Sequence, residues 1–381
     1  MKVSMSSRER LLATIGHEEP DHVPLCFRGL APFAHMWGNS LERAAVLLNM
    51  GVDDKLQIAA PWSYHPDCRV SQWREVQGEG GYPVIGKEID TPNGPLRMIV
   101  RETDDYMPDD LPLIADHNWP RCVEPLVKGE ADLARLGYVL CPPDANALSQ
   151  LRERAGRVMG FAQRRGVLVE GVAHSPSVTA ISLMRPTEFM MLALDNRAFV
   201  ERLLDMALQW SLACLEPLLE IGVDVVLYSG VYETTDYWSP NIISELFIPR
   251  LQRVVRLVHE AGAKFHYYTV TGTSRLYERY PELGIDIWSA VNPPPRGDVS
   301  LAEAKRQVGD RLCLWGGINP EHTLEEGTPE QVRQDVREAI SAGAAGGGFV
   351  LSTAGSLINS NERIYRNLQA FLEAWREMAD Y

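Results

Sequence analysis

The chain has 381 residues, of which 45% are hydrophobic and 23% charged, an ordinary composition for a globular protein. Its 51 acidic and 37 basic side chains give a formal net charge of −14. This acidity argues against nucleic acid and anionic membrane surfaces as partners, because both require a basic face.

The cysteines and the N-terminal sequence indicate the cellular compartment. The six cysteines, at positions 26, 68, 122, 141, 214 and 313, form no C-x-x-C pair. That spacing excludes a structural zinc knuckle, and a chain of this length does not need a disulfide framework. The start of the chain lacks the apolar core of a signal peptide, and no run of eighteen apolar residues occurs. We therefore expect a reduced, soluble, cytoplasmic protein.

The first sixty residues contain two helix patterns and two strand patterns. A helix is predicted over Arg8–Ile15, because its leucines are spaced for one apolar face. The run Val23–Phe27 is predicted as the first strand, with Arg28 at its exit. A short helix over Leu41–Asn49 and a second strand over Asp54–Ala60 follow.

The next segment has a different pattern. Two runs of alternating hydrophobicity flank Thr91-Pro92-Asn93-Gly94. Asn-Gly between two such runs is a strong hairpin signal, so we expect an antiparallel excursion over about 69–106. Residues 107–145 are rich in proline and aspartate, which predicts a loop-rich cover.

From residue 146 onward, strand and helix patterns alternate. Helices are predicted over about 146–164, 177–220 with a break near Pro186, 241–261, 300–307, 328–342 and 361–378. The strands between them are predicted at 167–172, 223–228, 264–272, 285–290, 312–316 and 348–351. With the two early strands this makes eight, which predicts a single α/β domain over 1–381, a (β/α)8 TIM barrel with an inserted hairpin. The competing doubly wound sheet would usually have fewer strands and a glycine-rich first turn, which is absent.

One strand carries a histidine. Lys264–Gly272 follows a helix that stops at Gly262, and its aromatic and β-branched residues predict a buried strand. His266 lies near the exit of that strand, where parallel α/β proteins place their chemistry. A metal ligand, an acid or base, and a hydrogen-bonded core residue are all open interpretations.

Other polar and aromatic residues follow the remaining strands and are expected at the same mouth. They are Arg28, Trp62, Tyr64, His65, His174, Tyr232, Glu233, Asp236, Tyr268, Asn292, Asn319 and Ser352. More polar groups converge there than a structural rim needs, so this mouth is the candidate active site.

Glu233 and His266 follow consecutive strands, so we expect their side chains to meet. Zinc accepts both ligand types, and His174 or Asp236 can complete the set. Tyr268 would point to the same side as His266. Cys313 starts a strand and would lie at the wrong end of the barrel. The alternative is a metal-free pocket in which Glu233 and His266 form a hydrogen-bonded pair, and the sequence leaves both open.

Several motifs together resemble uroporphyrinogen decarboxylase-like proteins. They are Gly-His-Glu-Glu-Pro-Asp-His-Val-Pro (16–24), the hairpin at 90–96, Ser239-Pro240 with Phe247-Ile-Pro249, Leu-Trp-Gly-Gly-Ile-Asn (314–319), Gly327-Thr-Pro-Glu-Gln-Val332 and Gly-Gly-Gly-Phe-Val-Leu-Ser (346–352). The resemblance spans nearly the whole chain and implies a single (β/α)8 barrel with its active cleft at the strand ends.

The resembled superfamily contains two chemistries. True decarboxylases bind a tetrapyrrole with paired arginines after the first strand, where this chain offers only Arg28. The other branch comprises zinc-dependent methyltransferases, including O-demethylases, which exchange methyl groups with a corrinoid protein. Their zinc is often held by His-x-Cys and a later Cys. Here the corresponding residues are His266, Tyr268 and Gly355 or a neighbour.

The resemblance therefore implies an enzyme that moves a methyl group from a small methoxylated or methylated substrate to a corrinoid protein. Glu233 and His266 are the expected zinc ligands, and Tyr268, Asp236 and His174 the expected catalytic residues. Substrate contacts are expected from Arg28, Trp62, Tyr64, His65, Tyr232, Trp315 and Asn319. The alternatives are a cofactor-free decarboxylase and a non-catalytic barrel scaffold. A homodimer is one arrangement that the sequence allows.

Overall fold

A computed structural model describes residues 4–76 and 79–380. They form two compact units. The first takes its residues from within Met1–Ala59, Arg152–Ala173 and Leu218–Tyr381, and the second from within Ala60–Leu151 and His174–Pro217. Among the described residues, none of the helices combines the length and apolar character that crossing a membrane requires.

Helices and strands alternate through most of the described chain. The strands are β1 Lys55–Ala59, β2 Arg69–Glu75, β3 Val84–Thr91, β4 Gly94–Arg101, β5 Cys122–Glu124, β6 Leu168–Val172, β7 Val225–Ser229, β8 Lys264–Tyr268, β9 Ile287–Val291, β10 Cys313–Ile318 and β11 Phe349–Thr353. The α-helices are α1 Ser7–Ile15, α2 Ser40–Asn49, α3 Leu133–Leu136, α4 Ala145–Arg165, α5 Pro176–Leu183, α6 Pro186–Asp195, α7 Arg197–Glu220, α8 Pro240–Ile242, α9 Ile248–Glu260, α10 Leu301–Val308, α11 Pro329–Gly343 and α12 Glu362–Met378. Ile243–Phe247 and Pro320–Glu326 are π-helical.

The first unit contains a seven-stranded parallel sheet in the order β1-β6-β7-β8-β9-β10-β11. Every residue of β9, β10 and β11 is buried, as expected for parallel strands covered on both faces. The sheet is curled, because side chains from α1 and from strands far apart in it share one apolar cluster. That cluster consists of Leu11, Ile15, Cys26, Leu168, Val225, Ile287, Cys313, Trp315 and Val350. The face of the sheet that carries this cluster is called the inner face below.

Local signals in the sequence explain where helices start and stop. Ser6 caps α1 in a reciprocal capping box with Glu9. The stop predicted at Gly262 is confirmed, since its φ of 79° lies in the left-handed region that glycine tolerates. The break predicted near Pro186 is also confirmed, because α5 ends at Leu183 and α6 begins at the proline.

The strand predicted at Val23–Phe27 is wrong in extent. The described residues contain only a single parallel bridge there, between Leu25 and Leu351, and the Leu25 carbonyl accepts the Asp53 N–H at 2.9 Å. Pro24 lacks an N–H and so cannot extend a ladder, although its carbonyl accepts the Leu351 N–H at 2.9 Å.

The antiparallel excursion is confirmed, and it belongs to the second unit. β3 and β4 pair from Val84↔Arg101 to Thr91↔Gly94, so the hairpin turns at the predicted Asn93-Gly94. β2 and β5 extend it to four strands in the order β2-β3-β4-β5. β5 lies in the segment that the sequence predicted as loop.

Substitution of Gly316 on β10 tests how closely β10 packs against β9. Its φ is 150°, and an added Cβ would lie 2.8 Å from the Val291 backbone. We expect Gly316→Ala to lower the free energy of unfolding by about 3 kcal/mol, because rigid backbone must move and the glycine conformation is strained for alanine. Urea unfolding followed by circular dichroism measures this.

Gly156 provides the matched control for that measurement. It lies exposed in α4, where an added Cβ meets nothing within 4 Å. Gly156→Ala should therefore raise the free energy of unfolding by about 0.5–1 kcal/mol through helix propensity. Equal effects of the two substitutions would contradict the packing described here.

Candidate active site

A buried polar network crosses the inner face between β1, β6 and β8. The Glu170 carboxylate receives Lys55 Nζ at 2.9 Å, Gln57 Nε2 at 2.7 Å and His266 Nδ1 at 2.7 Å. Lys55, Glu170 and His266 are at most 5% exposed. These four residues are called the inner-face network, and the charges of Lys55 and Glu170 compensate each other inside it.

The strand register brings the network together. Gln57 lies beside Glu170, and His266 lies beside Leu227 and Ile287. Neighbours in register share a face of the sheet, and Ile287 belongs to the inner-face cluster, so His266 points inward. Its ring stacks on Trp315, with the centroids 5.4 Å apart and the planes 18° from parallel.

Burial and charge set the protonation of the network. Burial lowers the pKa of His266 to about 4, although the Glu170 carboxylate opposes this shift. Burial alone would raise the pKa of Glu170, but the charge of Lys55 and the interactions with His266 and Gln57 together outweigh it and hold that pKa well below its usual range. At neutral pH the imidazole is therefore neutral and donates Nδ1–H to the carboxylate. Its Nε2 is then an acceptor, and this buried atom has no hydrogen-bond partner within the described part of the chain.

A cation lies further along the same face. Tyr268 is two residues after His266 and points to the same side. The Arg28 guanidinium carbon lies 3.3 Å from the centroid of the Tyr268 ring, a cation–π contact. Within the described residues no ion pair is formed between Arg28 and a carboxylate. No carboxylate of the described residues therefore neutralises the charge of Arg28.

Two hydroxyls complete the inner face. Ser289 on β9 is in register with Tyr268, and Ser352 on β11 is two residues after the cluster residue Val350. Both serines are at most 1% exposed, and their Oγ atoms have no hydrogen-bond partner among the described residues. Asn319, predicted at the same rim, donates instead to the Asn292 side chain at 2.9 Å.

The predicted pairing of Glu233 with His266 is wrong. His266 pairs with Glu170, whereas the Glu233 carboxylate accepts the Tyr228 and Tyr267 hydroxyls, each at 2.8 Å. Tyr228 and Tyr267 alternate with the inward residues of β7 and β8, so they lie on the outer face. The turn after β7 carries Glu233 to that outer face, away from the imidazole.

The remaining predicted residues of the first unit have local partners. Asp236 accepts the Thr271 hydroxyl, and the Tyr232 carbonyl accepts the Trp238 indole N–H at 2.8 Å. Trp315 is 2% exposed and donates its indole N–H to the Cys26 carbonyl at 3.1 Å. It is therefore a packed neighbour of His266 rather than an open wall.

The second unit contains the other predicted aromatic residues. Trp62 contacts Tyr64 and Trp210, with ring centroids 5.2 and 5.9 Å apart, and its indole N–H donates to Val139. His174 stacks on Trp210 at 4.3 Å, and His65 contacts Tyr138 at 5.2 Å. These residues form an aromatic cluster within that unit.

Lys55, Gln57 and Glu170 were not predicted as site residues from the sequence. The available signal was polar and charged residues within short, otherwise apolar strands, Lys-Leu-Gln-Ile-Ala at β1 and Leu-Val-Glu-Gly-Val at β6. A charge in a doubly covered strand must be compensated, and Lys55 with Glu170 is that compensation.

The residues present do not fit the zinc that the family resemblance implies. No group of three or more histidine, cysteine, aspartate and glutamate side chains suitable for a metal ion occurs within residues 4–76 and 79–380. Burial raises the pKa of the Cys313 thiol to about 12 and that of Cys26 well above its usual value, so neither offers a thiolate at neutral pH. Tyr268, which replaces the cysteine of His-x-Cys, lies against Arg28.

Comparison with known proteins gives one family and two kinds of relative. The profile of the uroporphyrinogen decarboxylase (URO-D) family matches residues 113–378. Methylcobamide:CoM methyltransferase MtaA of Methanosarcina barkeri is 22% identical over 213 residues, which cover 56% of this chain and 58% of that protein. Uroporphyrinogen decarboxylase of Trichodesmium erythraeum (strain IMS101) is 25% identical over 155 residues, or 39% of this chain and 41% of that protein. The chain thus matches 58% of the length of the methyltransferase and 41% of the length of the decarboxylase.

Among solved structures, a methyltransferase from Methanosarcina mazei has the same fold. Its TM-score is 0.58 at 18% sequence identity, and the match covers 98% of this chain and 99% of that one. At this identity the likeness establishes the fold alone.

His174 gives a testable pH dependence. Burial lowers its pKa to about 4, although hydrogen bonds to the Pro61 and Ala60 backbone oppose this, and the residue as a whole is half-buried. The unfolded chain therefore binds the proton more readily between pH 6.5 and 4, so stability from this group is complete above pH 6.5 and falls as the pH approaches 4.

We expect the free energy of unfolding to fall by about 2 kcal/mol less between pH 6.5 and pH 4 in His174→Phe than in the wild type. The phenylalanine keeps the stacking on Trp210. Urea midpoints of both proteins at a series of pH values give the difference. His259→Phe serves as the control, because that imidazole is substantially exposed. Parallel stability curves for wild type and His174→Phe would contradict a buried neutral His174.

Proposed function

The chain belongs to the uroporphyrinogen decarboxylase (URO-D) family, and from that premise we propose that it is a methyltransferase of this family. The reaction we propose moves a methyl group from a small methylated substrate to a corrinoid protein. Support comes from the relatives named as methyltransferases, one of which acts on a methylcobamide. The family expected from the sequence motifs is correct.

The proposal rests on which positively charged side chains of the inner face are paired with a carboxylate. Arg28 is free of a carboxylate partner within the described residues, whereas Lys55 is bound to Glu170. A single available guanidinium suits a substrate with one carboxylate. A tetrapyrrole that carries many carboxylates would need several such cations. The single available guanidinium therefore favours a small substrate over uroporphyrinogen.

The residues of this chain take the following roles in the proposal. Arg28 binds the substrate carboxylate and orients the methylated end toward His266. Tyr268 is the proton donor that we favour among the three predicted catalytic residues, because it shares the inner face with His266. Asp236 is bound to Thr271, and His174 belongs to the second unit.

The proposed reaction balances as a methyl transfer. The bond between the methyl carbon and the substrate heteroatom breaks, and the reduced corrinoid of the partner protein supplies the electron pair that binds the methyl group. The heteroatom keeps the electrons of the broken bond and receives a proton from Tyr268, which solvent then replaces. No step passes through zinc, because the donor set described above does not fit it.

We further infer that the sheet closes as an eight-stranded (β/α)8 barrel within one domain. The segment containing Leu25 would be the eighth strand, since it bridges Leu351 on one side and accepts the Asp53 N–H on the other. The antiparallel strands β2 to β5 would then be an insertion after β1.

Arg28 gives the test of the proposed function. Methyl transfer from methoxybenzoates to free cob(I)alamin can be followed by the change in visible absorbance. We expect Arg28→Met to raise KM by about 30-fold with a smaller effect on kcat, because a charge-assisted hydrogen bond to the carboxylate is worth about 2 kcal/mol. Arg28→Lys should restore part of the loss.

Arg306→Met is the matched control for this test, since Arg306 is an exposed α10 residue paired with Glu303. Decarboxylation of uroporphyrinogen by the wild-type protein, without methyl transfer, would replace the proposal with the decarboxylase alternative. No turnover in either assay, together with no ligand binding, would favour a scaffold.

Zinc binding is a separate test. We expect wild-type protein that is incubated with zinc and then desalted to retain well under one zinc ion per chain, because no suitable donor set is formed. Elemental analysis by mass spectrometry measures this, with His259→Ala as a control for surface binding. One equivalent retained by wild type and lost in His266→Ala would contradict the expectation.

A further inference from the structure

We propose that a groove between α10 and α11, on the outer face of the first unit, is a second ligand site and binds a small primary alkylammonium ion. The groove has a volume of about 570 Å³, which lies in the range typical of small-molecule sites. It shares no residue with the inner-face network, so this site is independent of the proposed function.

Gly317 of β10 forms the floor of the groove. The register between β10 and β9 shifts between Trp315 and Gly316. Trp315 belongs to the inner-face cluster, whereas a Cβ added at Gly317 would lie 3.1 Å from Leu301 and 3.4 Å from Ala339. These two residues belong to α10 and α11, and the helices of an α/β sheet of this kind cover its outer face. The groove therefore lies on the side of β10 away from the inner-face cluster.

One wall of the groove is a stripe along α11. Gln331, Asp335, Glu338 and Ala342 line it, because residues three or four apart share one face of a helix. From Gln331 to Ala342 the stripe is about 16 Å long, at a rise of about 1.5 Å per residue. It is polar toward the start of α11 and apolar toward Ala339 and Ala342. A ligand that fills it needs a polar part and an apolar part.

The structure holds the Asp335 carboxylate in one orientation. Its Oδ2 accepts the Thr323 hydroxyl at 2.6 Å, and its Oδ1 accepts Gln331 Nε2 at 3.4 Å. Thr323 is 2% exposed and belongs to the π-helical Pro320–Glu326. Each carboxylate oxygen can accept a second hydrogen bond, so the carboxylate can still bind a donor in the groove.

The groove carries negative charge that the protein does not compensate. Within the described residues neither Asp335 nor Glu338 forms an ion pair, and no lysine or arginine lines the groove. The nearby arginines of α11 pair instead with glutamates of α12, as Arg337 does with Glu377 at 2.8 Å. Two carboxylates three residues apart on a helix repel each other, and a cation bound between them removes that repulsion.

The start of α10 does not reverse this charge. Ser300 and Ala302 line the groove, and the amino end of a helix carries a partial positive charge of about 0.5. The two carboxylates outweigh it, and Glu303 in the same turn offsets it further. Among the described residues, no tryptophan, tyrosine or phenylalanine lines the groove. A quaternary ammonium ion would therefore lack the aromatic face that it prefers, which favours a cation with N–H donors.

Calorimetric titration of the full chain at neutral pH tests the inference. The probes are hexylammonium, methylammonium, hexyltrimethylammonium and hexanoate. We expect hexylammonium to bind about 10-fold more tightly than each of the other three, because it alone combines N–H donors with an apolar chain. Equal affinity for hexylammonium and any one of the others, or no binding of hexylammonium, would overturn the inference.

Three substitutions locate the site. Asp335→Asn and Glu338→Gln keep the size of the side chain but remove its charge, so each should weaken hexylammonium binding by about 5- to 10-fold. Ala342→Leu fills the apolar end of the groove. It should lower the preference for hexylammonium over methylammonium by about 5-fold, a change that a general loss of stability would not produce.

Glu330→Gln is the matched control, because Glu330 is an exposed α11 residue that lies 3.9 Å from Arg333 and does not line the groove. Its affinity for hexylammonium should equal that of the wild type. Circular dichroism checks the fold of each variant, and the two charge variants decide if Ala342→Leu does not fold. Wild-type affinity in folded Asp335→Asn and Glu338→Gln would also overturn the inference.

Discussion

The ion pair between Lys55 and Glu170 is the constraint on which the inner face depends. Two charges that are at most 5% exposed lie on adjacent parallel strands, Lys55 at the start of β1 and Glu170 in the middle of β6. Removing one partner of such a pair typically costs about 3–5 kcal/mol, because the other charge is left buried without compensation. The pair is arranged by the register between β1 and β6, and the Oε1 atom that accepts Lys55 Nζ at 3.0 Å also accepts His266 Nδ1. The position, tautomer and neutral state of the imidazole all follow from that one contact.

The ion pair of Lys55 and Glu170 also accounts for the uneven polarity of the inner face, which is polar at one end and apolar at the other. Near the starts of the strands, α1 packs Leu11 and Ile15 into the inner-face cluster, which excludes water from that end. Along β8, the residues that point inward change from His266 to Tyr268, the ring under the Arg28 guanidinium. Polarity therefore rises toward the strand exits, where loops can admit a ligand, while the network stays in a medium where its electrostatic interactions are strong.

The sequence predicted the parallel strands and the hairpin well, because these follow from local patterns. Alternation of helix and strand signals locates β6 to β11, and Asn93-Gly94 locates the turn between β3 and β4. The short segment around Leu25 was over-predicted, because hydrophobicity does not reveal that Pro24 interrupts a ladder. Most other boundaries differ by a residue or two, as expected where strand ends are set by neighbouring strands, but the strand predicted over 264–272 already ends at Tyr268.

The site residues were predicted less well than the fold. The sequence indicates which strand a residue follows, but it does not indicate toward which face of the sheet the side chain turns. Both Glu233 and His266 follow the expected strands, but the turn after β7 takes Glu233 to the outer face, where two tyrosine hydroxyls bind it. Nothing local distinguishes a carboxylate that turns inward from one that turns outward. Glu170 was overlooked because a glutamate inside an apolar strand has no motif, and its partner Lys55 is 115 residues away in the sequence.

The replacement of the expected cysteine by Tyr268 changes what the site can do for a leaving group. A metal ion stabilises a developing negative charge directly, as a Lewis acid. A neutral imidazole whose lone pair faces the ligand does the opposite and disfavours an anion beside it. In the methyl transfer that we propose, the departing heteroatom therefore has to be protonated, and Tyr268, on the same face as His266 and beneath the Arg28 guanidinium, is the donor that we propose. The ion pair of Lys55 and Glu170 bears on that step only indirectly, because its carboxylate fixes the position and the Nδ1 tautomer of the imidazole.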